Sequence, residues 1–139
     1  QDAISLAHKI AVLDQGKVIQ MGTPKVLFDQ PFTPAIARFF GEINIFNQED
    51  FQHFDIELEK ADFYGIRPEH ITYSLTPEKN RQAAVIIGET FHGLWRKYRI
   101  KISSQIELDL MVDAQMLIEG KEIFITLDPA YLLRFHKKN

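Results

Sequence analysis

The apolar residues of this chain change their spacing at Gly41, and this change divides the sequence into two parts. Before Gly41 they cluster at helical spacing or in short β-forming pairs such as Val18-Ile19. After Gly41 the helical period fades, and short runs typical of strands follow one another along the chain. We therefore predict a mainly β protein with short N-terminal helices, divided into residues 1–41 and residues 42–139.

The first part is predicted to begin with a helix and a hairpin. Residues 2–9 place their apolar positions on one side of a helix. A hairpin follows over residues 11–21. Its turn, residues 14–16, fits a type I turn that ends with Gly16 in the left-handed region, where glycine has no steric cost.

Two Thr-Pro pairs each mark the start of a further helix. Thr23-Pro24 and Thr33-Pro34 combine an N-cap hydroxyl with a proline at the first helical position, where the missing N–H is not needed. Gly41 is a favourable C-cap for the second of these helices. We expect helix, hairpin and helices over the first 41 residues.

The second part is predicted to be a small antiparallel barrel, because short strand runs alternate with turn residues. Pro68 cannot donate to a β-ladder and is expected at an edge or turn. The predicted strands cover residues 44–46, 54–58, 63–66, 71–74, 83–91, 94–102, 106–112, 121–127 and 131–135.

One hairpin of this part can be given a register from its charges and apolar faces. A three-residue loop, residues 103–105, keeps all buried side chains on one face, whereas a slip by one residue would turn them outward. This register places Arg99 opposite Asp109, Lys101 opposite Glu107, Ile100 opposite Leu108 and Ile102 opposite Ile106.

Composition excludes several classes of site. The 139 residues contain no cysteine, so disulfides, thiolate metal sites and cysteine nucleophiles are excluded. The five histidines show no metal-ligand spacing, and a Gly-x-x-x-x-Gly-Lys-Ser/Thr phosphate loop is absent. No apolar run approaches the roughly 20 residues that span a bilayer. We expect no metal, no catalytic residue and no membrane insertion for this chain.

A basic stripe beside an aromatic residue leaves two interpretations open. Trp95, Lys97, Arg99 and Lys101 could form the face of a nucleic-acid-binding barrel. In the register above, however, acidic residues of the next strand would neutralise the stripe, and the net charge of −3 gives no general attraction to nucleic acid. A small-ligand-binding module is a third possibility.

Four stretches, in order, resemble one family of proteins. Residues 2–13 resemble the segment after the switch histidine in ATP-binding subunits of ABC importers, and residues 14–24 resemble the last hairpin of that nucleotide-binding domain. Residues 39–46 resemble the passage into the C-terminal regulatory domain. The run 65–69, Gly-Ile-Arg-Pro-Glu, is similar to a motif of that domain, called TOBE, which has an OB-like barrel fold.

This resemblance implies the end of a nucleotide-binding domain over residues 1–41 and a TOBE-like regulatory barrel over residues 42–139. The motifs that bind and hydrolyse ATP with magnesium would lie before Gln1, so this chain is expected to need no cofactor and to be a fragment without ATPase activity. It also implies a homodimer through the regulatory domain, contact with permease subunits through the whole subunit, and a cytoplasmic position at the inner membrane. No nucleic-acid partner is expected.

The resemblance identifies the ligand and the transported substrate only weakly. Arg67, Glu69 and Trp95 are the candidate ligand-binding residues, and a structural brace within the turn is the alternative for Arg67 and Glu69. Residues 40–46 are most similar to polyamine importers, while the wider pattern also fits importers of ferric iron, sugars, sulfate or molybdate.

Overall fold

A computed structural model describes residues 8–54 and 56–137. The helix predicted over residues 2–9 therefore lies outside the described residues, apart from His8 and Lys9, which belong to no helix. Within the described ranges the protein is mainly β, with two short α-helices, as the sequence predicts.

The strands of the described residues pair antiparallel and form three sheets, with strand orders β1-β2, β10-β4-β3 and β5-β9-β6-β7-β8. Short 3-10 turns cover Glu49–His53, Pro68–His70 and Pro129–Tyr131. The elements are β1 (Ile10–Asp14), β2 (Lys17–Gly22), α1 (Pro24–Asp29), α2 (Pro34–Phe40), β3 (Asn44–Phe46), β4 (Phe63–Ile66), β5 (Ile71–Ser74), β6 (Gln82–Phe91), β7 (Trp95–Ser103), β8 (Ile106–Asp113), β9 (Glu122–Leu127) and β10 (Leu133–Phe135).

The two Thr-Pro pairs cap α1 and α2, which confirms both predicted starts. The hydroxyl of Thr23 accepts a hydrogen bond from the Val26 N–H, and that of Thr33 accepts one from the Ile36 N–H, each at 3.2 Å. Gly41 is the C-cap of α2, and its φ of 161° is extended rather than left-handed. Any residue can adopt this φ, so the backbone conformation does not require a glycine at position 41.

The turn of the first hairpin is tighter than predicted. Asp14 pairs directly with Lys17, which leaves a two-residue turn in which both Gln15 and Gly16 have positive φ, 51° and 77°. These angles define a type I′ turn, whose twist matches that of the two strands. The prediction of a type I turn with a single left-handed residue is wrong.

A buried amide attaches this hairpin to the helices. The Nε2 of Gln20 donates to the Gln30 carbonyl at 2.9 Å, and the Phe32 N–H donates to the Oε1 of Gln20 at 2.8 Å. Gln20 thus satisfies two backbone groups of the connection between α1 and α2, as buried polar groups require.

The register of β7 and β8 follows the charge pattern, except at the loop. Arg99 lies opposite Asp109, Lys101 opposite Glu107, and Ile100 opposite Leu108, as predicted. The predicted pair of Ile102 with Ile106 is wrong, because Ser103 lies opposite Ile106 and the ladder is irregular between residues 101 and 103. The loop has two residues instead of three.

The strand predicted over residues 54–58 is not formed by Phe54 or by residues 56–58. The hydroxyl of Tyr64 holds the backbone that follows: it donates to the Glu59 carbonyl at 2.7 Å and accepts from the Ala61 N–H at 3.1 Å. The ring of Phe51 also packs on Tyr64, with the two ring centroids 4.9 Å apart.

The core lies between the five-stranded sheet and the sheet of β3, β4 and β10. Its largest buried side chains are aliphatic or aromatic and come from alternate positions of the strands. They include Phe46, Tyr64, Ile66, Tyr98, Ile100, Leu108, Leu110, Ile123, Ile125 and Leu127. Among the residues described, no helix is both long and apolar enough to cross a membrane.

Gly65 offers a direct test of this packing. A Cβ at Gly65 would lie 2.8 Å from the Cδ1 of Ile43 and 3.0 Å from the ring of Phe135. We expect Gly65→Ala to destabilise the protein by about 1–3 kcal/mol in denaturant unfolding, because the core must move to admit the methyl group.

Gly88→Ala is the matched control within a strand. Its Cβ would lie at an ordinary distance of 3.6 Å from the Cβ of Arg99. We expect the free energy of unfolding to change by less than about 1 kcal/mol. An equal loss of stability in the two variants would contradict the close packing at Gly65.

Candidate functional site

Arg67, one of the three predicted site residues, lies where α1 and α2 meet the strands β3–β10, which we call the β part. It follows β4 directly and precedes the Pro68–His70 turn. Pro68 begins this turn with its fixed φ, and the His70 N–H donates to the Arg67 carbonyl at 2.9 Å. The residue is only 2% exposed, so its guanidinium is held among protein groups rather than in water.

The guanidinium of Arg67 donates to three backbone carbonyls from different parts of the chain. Its Nη2 donates to Phe28 at 2.8 Å, and its Nη1 donates to Ala37 and to Glu42, both at 3.2 Å. Its Cζ also lies 3.8 Å from the centroid of the Phe28 ring. We call this set of contacts the Arg67 clamp.

The Arg67 clamp satisfies carbonyls that the helices leave open. Phe28 lies in the last turn of α1 and Ala37 in that of α2, where carbonyls lack intrahelical partners. A cation at this end also interacts favourably with the helix dipole. Both helices therefore end against the same charged group.

Gly41 leaves room for this contact. A Cβ at Gly41 would lie 3.3 Å from the Nη1 of Arg67 and 3.4 Å from the ring of Phe28. Because the φ of Gly41 is extended, space for Arg67 explains the glycine better than backbone conformation does.

Burial lowers the pKa of Arg67, and the nearby carboxylates of Glu69 and Asp29 oppose this shift. A guanidinium remains protonated in proteins even when its pKa is lowered. The clamp is therefore a charged contact at every physiological pH.

The other two predicted site residues lie on the surface. Glu69 is exposed in the turn that follows Arg67. Trp95 begins β7 opposite Asp113 and is 42% exposed. Arg67 differs from these two residues because its side chain is buried and hydrogen-bonded to three backbone carbonyls. The role of all three in ligand binding stays a prediction.

The basic stripe on β7 is largely paired with acidic residues. The Nζ of Lys97 lies 2.7 Å from a carboxylate oxygen of Glu42, and this contact raises the pKa of Lys97. Arg99 lies 3.0 Å from Glu107 and 3.1 Å from Asp109, and these bonds raise the pKa of Arg99. The charges of Lys97 and Arg99 are thus compensated within the chain.

An apolar patch covers the end of the β6–β7 hairpin. Leu94 is 81% exposed and Phe91 is 63% exposed. The adjoining loop after β8 is fixed beside them, because the Ala114 N–H donates to the Leu94 carbonyl at 3.0 Å. Exposed apolar side chains in neighbouring segments are a feature of interaction surfaces. We define the hairpin patch as Phe91, Leu94, Trp95, Met116 and Leu117.

One cleft of about 300 Å³ is lined by side chains that include Phe54, Ile56 and the end of β9, and none of its lining residues is Arg67, Glu69 or Trp95. Within residues 8–54 and 56–137, no group of three or more His, Asp or Glu side chains is arranged to hold a metal ion.

Sequence reasoning missed three polar residues that organise this region. Gln20, Asn44 and Glu42 each bond to a distant part of the chain. Asn44 carries a signal that could have been used, since it is a polar residue between Ile43 and Ile45 in an apolar run.

Comparison with curated proteins places the chain beside import ATP-binding proteins, and no family model matches it. It is 28% identical to the spermidine/putrescine import ATP-binding protein PotA of Borrelia garinii subsp. bavariensis, over 99% of this chain and 43% of the relative. It is also 28% identical to the sulfate/thiosulfate import ATP-binding protein CysA of Nephroselmis olivacea, over 76% of this chain and 28% of the relative.

A third relative, the uncharacterized ABC transporter ATP-binding protein YdcT of Escherichia coli, is 28% identical over 92% of this chain and 36% of its own length. The chain therefore spans less than half of the length of these relatives. The part that it matches is the C-terminal part.

The Arg67 clamp generates a stability prediction. We expect Arg67→Met to lower the free energy of unfolding by about 3–5 kcal/mol, because three buried carbonyls lose a charged donor. Denaturant unfolding followed by the fluorescence of Trp95, the only tryptophan, measures this change.

Arg99→Met is the control, because it removes two ion pairs of a half-exposed side chain. We expect a loss of at most about 1 kcal/mol. If Arg67→Met were as mild as Arg99→Met, the clamp would not hold the helices in place.

Proposed function

Because its sequence is related over almost its whole length to the C-terminal part of ABC importer ATP-binding subunits, we propose that this chain is the regulatory and dimerisation module of such a subunit. The observation that carries the regulatory part of the proposal is the Arg67 clamp, which attaches two helices to the β part through one buried side chain. A change in the position of the β part would therefore act on the helices.

In this proposal the module has no chemistry of its own. ATP and magnesium would be bound by other parts of the whole subunit, and the module would influence how that subunit works. Import of a small solute is the activity served, since two of the relatives are named for import, of spermidine and putrescine in one case and of sulfate and thiosulfate in the other.

The proposed partners are a second copy of the subunit and the permease of the transporter. The hairpin patch is the surface we assign to self-association, because its five apolar side chains are between 42% and 81% exposed. Attachment to the permease would hold the subunit at the cytoplasmic face of the inner membrane.

A nucleic-acid-binding barrel is the weaker alternative. Its basic face would need free cations, yet Lys97 and Arg99 are bonded to Glu42, Glu107 and Asp109. Breaking these pairs would oppose the gain from counterion release on binding a phosphate backbone.

The absence of a nucleotide site in this chain can be tested by thermal unfolding. A protein that binds a ligand only when folded is stabilised by about 2.7 kcal/mol at a ligand concentration 100 times Kd. We expect magnesium-ATP to leave the melting temperature unchanged, because the proposal places the nucleotide site outside this segment.

The same melt with a single-stranded oligonucleotide at low salt provides the comparison for the alternative. Stabilisation by ATP would contradict the proposal that the nucleotide site lies outside this chain. Stabilisation by the oligonucleotide that disappears at high salt would instead favour the nucleic-acid-binding barrel.

Self-association through the hairpin patch is tested by sedimentation. We expect concentration-dependent dimers that Leu94→Asp abolishes, because a carboxylate would have to be buried in the contact. Leu75→Asp, at another exposed leucine, should leave the dimer intact. A chain that stays monomeric at high concentration would contradict this assignment.

A further inference from the structure

Residues 42–44 lead from α2 into β3 and are hydrogen-bonded both to Arg67 and to the five-stranded sheet. The Glu42 carbonyl accepts from Arg67, the same guanidinium that holds the carbonyls of Phe28 and Ala37. The Glu42 carboxylate meanwhile accepts from the Nζ of Lys97 on β7 at 2.7 Å. One residue thus joins the helix ends to the five-stranded sheet.

Asn44 makes a second and different contact with the same sheet. Its Nδ2 donates to the Asp109 carbonyl at 2.9 Å, and the Asp109 N–H donates to its Oδ1 at 2.8 Å. Asp109 lies in β8, the edge strand of the sheet, so the amide takes the place of a neighbouring strand at this position. Asn44 is buried.

The two contacts differ in how easily they can open. The Asn44 pair is a buried double hydrogen bond, and breaking it would leave backbone groups of an edge strand unsatisfied. The Glu42–Lys97 pair is partly exposed, with 47% of the Glu42 side chain and 23% of the Lys97 side chain accessible. Salt screens such a pair, and its contribution is small enough for reversible opening.

We propose that residues 42–44 form a latch between the helices and the edge of the five-stranded sheet, in which Asn44 is the fixed contact and Glu42–Lys97 is the releasable one. When the latch is closed, α1 and α2 are held through Arg67 and Glu42 to β7. When the ion pair opens, the helices remain attached through Arg67 but lose their tie to β7. The latch gives the proposed regulatory role a physical device. Its existence does not depend on that proposed function, but its use in regulation does.

Hydrogen exchange of the whole chain, read by mass spectrometry, tests the latch. We expect Glu42→Gln to speed amide exchange over residues 24–41 by about two- to fivefold, the size expected for one partly exposed ion pair. Exchange in β9 should not change. Raising the salt concentration should have the same effect on the unmodified chain, and less effect on Glu42→Gln.

Glu89→Gln is the matched control. Its carboxylate is bonded to Arg96, the residue next to Lys97 on β7, and its side chain is 40% exposed. This pair lies within the sheet, and the hydrogen bonds of Arg96 go to Glu89 and to the Ala114 carbonyl rather than to residues 42–44. We expect exchange over residues 24–41 to be unchanged in Glu89→Gln.

Asn44→Asp tests the fixed contact, since aspartate can still accept from the Asp109 N–H but cannot donate to its carbonyl when ionised. We expect faster exchange both at Asp109 and over residues 24–41, by more than in Glu42→Gln. The latch is overturned if Glu42→Gln and Glu89→Gln affect residues 24–41 equally. It is also overturned if a folded Asn44→Asp leaves those residues unchanged, and should that variant not fold, the comparison of Glu42→Gln with Glu89→Gln decides.

These exchange measurements do not depend on nucleotide binding or on self-association. A failure of the proposed function would appear in the melts and in sedimentation, whereas a failure of the latch would appear only in the exchange of residues 24–41.

Discussion

The guanidinium of Arg67 is the contact on which the arrangement of this protein depends. Placing a cation out of water is unfavourable unless dipoles or charges replace its hydration. Here the carbonyls at the ends of two helices do so, together with the Glu42 carbonyl and the face of the Phe28 ring. Helices of six and seven residues are too short to be stable alone, so their stability depends on this packing.

Two glycines and a proline near Arg67 permit the close packing of this region. Gly41 leaves the space that the guanidinium occupies, and Pro68 fixes the turn that follows Arg67. Gly65 brings β4 close to Ile43 and Phe135. Three residues of the run Gly-Ile-Arg-Pro-Glu thus have separate roles. Gly65 allows close packing, Arg67 supplies the buried charge, and Pro68 fixes the backbone of the turn.

The sequence predicts local features better than distant ones. Thr23 and Thr33 could be identified as helix caps because the capping bond spans only three residues. The β7–β8 register could be predicted because opposite charges and apolar faces agree on one alignment.

The wrong predictions concern two tight turns and one short strand, whereas the contacts across long sequence separations were not predicted at all. The partner of Asn44 is 65 residues away in the sequence. Arg67 could be selected from its motif, but its carbonyl partners, 25 to 39 residues earlier, could not be predicted from periodicity.

The central claim is that Arg67 makes α1 and α2 part of the same cooperative unit as the β strands. Denaturant unfolding followed residue by residue with NMR tests it most directly. In the unmodified chain, residues 24–40 and residues 82–127 should lose their native signals at one common midpoint. In Arg67→Met, the signals of residues 24–40 should disappear at a lower denaturant concentration than those of residues 82–127. A single shared midpoint in Arg67→Met would contradict the claim.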